Sequence, residues 1–133
     1  MPIYSRLLTI PANTSEDNPV SLNIPIQQRY ITKMEIGFPD GCNYMVKVKI
    51  QYGIKQFWPE EPDTWIVGNG ETISWEERYE MPSINEILTV YGASPGTNYD
   101  HNVVIRIMTL PKGFYFLETL IKGLSDFFKK IFI

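Results

Sequence analysis

Few side chains in this chain could do chemistry. The only histidine, His101, follows Asp100 in the run Asn98-Tyr99-Asp100-His101. An Asp-His pair beside a tyrosine can ligate a metal or serve as a base. A lone histidine at the start of a strand is far more often structural, and that is the reading adopted. The only cysteine, Cys42, sits in a turn after Asp40-Gly41. A Cys-His nucleophile would need chance assembly with His101, and one sulfur excludes an internal disulfide. The span 60–86 holds Glu60, Glu61, Asp63, Glu71, Glu76, Glu77, Glu80 and Glu86 against Arg78 alone. Carboxylates at loop ends can bind calcium, and a suitably spaced pair can hydrolyse glycosides. Nothing here matches an EF-hand spacing, and a solvated acidic face is the simpler reading. No catalytic residue, no metal ligand and no cofactor is therefore expected, and the chain does not read as an enzyme.

Aromatic residues offer a second kind of chemistry. Trp58, Trp65 and Trp75 lie within 18 residues of one another, with Tyr52, Phe57 and Tyr79 near. Exposed rings on a β-sandwich stack on sugar faces while neighbouring carboxylates bind hydroxyls. Buried tryptophans simply fill the core. Trp75 alternates with polar neighbours and reads as core. Trp58 and Trp65 flank the acidic loop and are the candidate glycan-binding residues, with carbohydrate recognition the alternative function.

The elements that must position these residues read as strands. Residues 3–10, 20–26, 30–38, 44–51, 54–58, 64–67, 71–79, 85–91 and 102–110 form short runs, several of them alternating, divided by Pro, Gly and Asn turns. In 20–26, Val20, Leu22, Ile24 and Ile26 share a face, and Pro25, which lacks a donor, marks an edge strand. Tyr44, Val46, Val48 and Ile50 are expected inside. Residues 30–51 look like a hairpin about Pro39-Asp40-Gly41. Apolar residues on both faces of 102–110 suggest a central strand. About eight strands with turns every eight to twelve residues give an all-β antiparallel sandwich. A jelly roll is expected, with an immunoglobulin-like topology as the rival.

The last stretch differs. At about 100° per residue, Leu117, Leu120, Ile121, Leu124, Phe127, Phe128, Ile131 and Phe132 fall in one arc of roughly 140°. Leu117, Ile121, Leu124, Phe128 and Ile131 follow the 4-3-4-3 spacing of a coiled-coil seam, and Leu120 and Phe127 widen it. The expected division is a β-sandwich over 1–111 and an amphipathic helix over 112–133. Charges recur through the tail, so it is not a membrane span. Its face can meet its own domain, sister helices or a membrane interface. The body does not need a lid, and the width of the arc favours a bundle of three or more helices over a pair.

Composition sets outer bounds. With 44% hydrophobic and 20% charged residues, the chain is ordinary for a globular domain. The net charge of −3 argues against nucleic acid. Residues 1–110 carry 8 basic and 13 acidic side chains, and residues 111–133 carry 4 and 2. A mildly basic tail on an acidic body suits an anionic membrane surface or an acidic partner. The N-terminus MPIYSRLLTIP has no basic segment followed by an apolar one, so no signal peptide is expected.

The strand rhythm of residues 1–111 resembles the single jelly-roll virion proteins: minor capsid, penton and spike-base subunits. That resemblance implies a homo-oligomeric structural role, capsid proteins or an internal membrane as partners, and a virion or intracellular location. It carries over no site residue, since no fixed motif is shared. The function expected is a non-enzymatic structural or interaction protein that assembles, or attaches to a membrane or larger particle, through its C-terminal helix.

Overall fold

The computed structural model describes residues 3–27, 30–53, 55–81, 86–110 and 112–132, without the side chains of 55, 112–119 and 132. Nine strands and one helix are present among them: β1 (Ile3–Ile10), β2 (Val20–Ile26), β3 (Tyr30–Gly37), β4 (Lys47–Tyr52), β5 (Lys55–Trp58), β6 (Ile66–Val67), β7 (Thr72–Glu80), β8 (Glu86–Ala93), β9 (His101–Leu110) and α1 (Lys112–Phe132).

The strands build two antiparallel sheets. One has the order β1-β9-β3-β7, the other β2-β8-β4-β5, with β6 also pairing with β4. The pairing is nested: β1 with β9, β2 with β8, β3 with β7, and β4 with β5 and β6. Because β5 holds the Ile50–Tyr52 end of β4 and β6 its Lys47–Val48 end, nine strands fill eight places.

Alternation decides what is buried. Leu8 and Ile10 from β1, Ile24 and Ile26 from β2, Val48 and Ile50 from β4, Leu88 and Val90 from β8, and Val103, Ile105 and Ile107 from β9 meet in one core. Each strand thereby hides one side-chain row and leaves the other to solvent. The sheets approach closely at Gly92, where a Cβ would come within 2.6 Å of Ile10 Cδ1. Pro25 lies on β2, an edge strand, where a missing donor costs least. β9 is central in its sheet, as its two apolar faces suggest.

Two local expectations are corrected. Residues 30–51 are not a hairpin, because β3 and β4 belong to different sheets. Asn43 and Tyr44 both have left-handed backbones, with φ of 48° and 60°, and there the chain turns across the sandwich rather than back along β3. Tyr44 is consequently exposed, while Val46, Val48 and Ile50 are buried as expected. In β3, a register shift between Ile31 and Lys33 allows Tyr30 and Ile31 both to be buried, where strict alternation would divide them.

One end of the sandwich is pinned by polar loops. Ser94 N–H donates to the Thr14 carbonyl (2.8 Å), Ser94 Oγ to the Pro11 carbonyl (2.7 Å), and Gly96 N–H to Asn13 Oδ1 (2.8 Å). The segment 11–19 is a mostly exposed loop tied down at its base, where Asn13 N–H and Thr14 N–H also donate to Thr97 Oγ1 and Ser94 Oγ of the β8–β9 connection.

Candidate functional site

The amphipathic tail forms α1 as its periodicity requires. Lys129 and Lys130 occupy its last turn, where cations complement the exposed carbonyls. Leu120, Ile121, Leu124, Phe127, Phe128 and Ile131 are all exposed, between 48% and 59%. Leu117 and Phe132 belong to the same sequence stripe, but their side chains lie outside the described residues. Only residue 111 separates the end of β9 from the start of α1. The described side chains of α1, residues 120–131, are all exposed, polar and apolar alike. No described helix is long and apolar enough to cross a membrane.

The tryptophans separate. Trp58 is buried, at 6% exposure, which corrects its expected place outside. Its ring packs on Phe57 (centroids 5.4 Å apart) and Tyr79 (6.1 Å), and its indole N–H donates to Glu77 Oε1 at 2.9 Å. A sequence window cannot reveal this, because Glu77 and Tyr79 lie on β7, in the opposite sheet from β5. Trp65 is half-buried with the Lys49 ammonium over its ring, 4.4 Å from the centroid. Lys49 also lies 5.8 Å from the Tyr91 ring. Trp75 is half-buried and packed against the core.

Around Trp58 a small hollow of about 200 Å³ is lined by Phe57, Trp58, Glu60, Glu77 and Tyr79. Burial pushes the Tyr79 phenol above its ordinary value. Tyr52, 6.0 Å from Phe57, is raised mainly by its hydrogen bond to Glu86. Phe57 and Tyr79 are among the aromatic residues already grouped with the tryptophans in the sequence, whereas the pairing of Trp58 with Glu77 has no local signal.

The other chemical candidates resolve into structure. His101 is 3% exposed and stacks on Tyr99, with ring centroids 4.5 Å apart. Asp100 does not pair with it: Asp100 Oδ1 accepts from Ala12 N–H at 2.9 Å. Cys42 is buried, and burial, then the Asp40 charge, pushes its thiol up. No group of three or more metal-ligating side chains is present among the described residues.

Comparison with known proteins gives fold likeness alone. No family model matches the chain, and no curated protein matches it. The tomato aspermy virus structure aligns with 83% of this chain and 79% of its own at 12% identity and a TM-score of 0.39. A mitogen from Yersinia pseudotuberculosis aligns with 82% of this chain and 86% of its own, at 8% identity and a TM-score of 0.40. FlhE covers 79% of this chain and 95% of its own, at 10% identity and a TM-score of 0.35. At these identities and TM-scores the alignments do not bear on what the chain does, and none shows a family to which it belongs.

Proposed function

We propose that this is a non-enzymatic structural subunit that assembles into a homo-oligomer through α1, as part of a larger particle such as a virion. The observation that carries this reading is the row Leu120, Ile121, Leu124, Phe127, Phe128 and Ile131, six large apolar side chains exposed along one helix. The sandwich buries its own inner faces without the helix. A contiguous apolar face of this kind marks an interaction surface. The 4-3-4-3 spacing suits sister helices, and the flanking Leu120 and Phe127 suit three or more of them. The nested strand pairing supports reading the body as a jelly roll, an architecture used by virion proteins, although fold alone does not choose a function.

The test is the mass in solution of the full chain beside the Leu124→Lys/Phe128→Lys variant. A defined oligomer of three or more copies is expected for the native chain and a monomer for the variant, with helix content checked by circular dichroism. A native monomer that floats with anionic vesicles would replace the reading with membrane attachment. A native monomer without lipid binding would end both.

A further inference from the structure

The hollow beside Trp58 is independent of α1 and has its own chemistry. Three aromatic rings wall it at angles to one another: Phe57 and Tyr79 at 57° with centroids 4.7 Å apart, Phe57 and Trp58 at 45°, Trp58 and Tyr79 at 80°. Two carboxylates complete the lining, Glu60 and Glu77. No described lysine or arginine lines it. Glu77 is held in place by the Trp58 indole N–H, so one carboxylate is fixed against the rings. Ring faces carry negative potential and attract cations, most strongly when carboxylates stand beside them. We propose that this hollow binds a quaternary or methylated ammonium group.

Size and donor inventory favour that ligand over a sugar. At about 200 Å³ the hollow is smaller than the usual small-molecule pockets of about 300–1,000 Å³, which points to a head group rather than an extended ligand. Trp58 is only 6% exposed, so it backs the hollow while the half-buried Phe57 and Tyr79 present the accessible ring surface, and no open flat ring of the kind a sugar stacks on is offered. Hydroxyl recognition also needs donors as well as acceptors. The Trp58 N–H is already used, leaving the Tyr79 hydroxyl as the side-chain donor in the lining. An alkylammonium needs only what the lining supplies, apolar contact and negative charge.

The test titrates the full-length protein with choline at constant ionic strength and follows amide and indole N–H resonances. Saturable shifts are expected at the Trp58 indole N–H and along 57–60 and 77–79. The uncharged isostere 3,3-dimethylbutan-1-ol should give none that saturate, and methyl glucoside none. Glu60 is exposed, so Glu60→Gln should leave the fold intact and weaken choline binding roughly fivefold, in the range of a partly exposed charge contact. Tyr79→Phe keeps the ring and should keep binding. The proposal is overturned if the neutral alcohol saturates as choline does, if Glu60→Gln binds choline like the native chain, if Tyr79→Phe abolishes binding, or if choline never saturates. Saturation by the glucoside alone would assign the hollow to sugars.

Discussion

Cys42 shows at the scale of one residue how burial governs chemistry. Its thiol is buried, and desolvation together with the Asp40 carboxylate raises it above the ordinary value. The neutral thiol is therefore favoured in the folded chain. For a group raised on folding, the stabilisation is complete below the unfolded value, about 8.5 for cysteine, and is lost as pH rises past it. Tyr79, raised by burial, adds a loss of the same sign at higher pH. Urea unfolding should accordingly give a midpoint that is flat near neutrality and falls above about pH 8.5. Alkylation of Cys42 should be slow in the native chain and fast in urea. Rapid native labelling would mean that the turn opens far more often than its burial implies.

At the scale of elements, α1 is held by its own periodicity. Gly123 lies on its polar side, and a Cβ there would meet nothing within 4 Å. Glycine inside a helix costs about 1 kcal/mol relative to alanine. Gly123→Ala should therefore raise helix content and the thermal stability of the tail without changing the mass in solution. A change in mass would mean that the polar face takes part in assembly. The strands were legible to different degrees for a physical reason. β2 and β9 read cleanly because each buries one row of alternating side chains. β3 is also present as read, but it departs from strict alternation because a register shift lets Tyr30 and Ile31 share burial. The supposed 30–51 hairpin failed because Asn43 and Tyr44, neither of them glycine, take left-handed backbones that send β4 to the other sheet.

For the molecule as a whole, the sandwich buries a core of its own, and α1 keeps Leu120, Ile121, Leu124, Phe127, Phe128 and Ile131 exposed. If assembly through α1 binds the folded chain and not the unfolded one, its stability must depend on concentration. The melting temperature of the native protein should rise across a hundredfold increase in concentration, and that of Leu124→Lys/Phe128→Lys should stay constant. A native midpoint independent of concentration would count against obligate assembly. The charge asymmetry, an acidic body and a tail with two more basic than acidic residues, is a property of the same scale.

Sequence alone determined the all-β class, nearly every strand, the edge position of Pro25 and the helix that follows β9. Each of these follows from a local period or a local backbone restriction, so a short window contains the cause. Tertiary structure decided the rest. Pairings such as β1 with β9 join residues nearly a hundred positions apart, and nothing within a window records them. The same holds for the chemistry. Trp58 meets Glu77 and Tyr79 only because β5 and β7 face each other across the sandwich, and Asp100 and His101, adjacent in the chain, are parted because Asp100, just before β9, accepts from Ala12 N–H while His101 opens β9 and is buried.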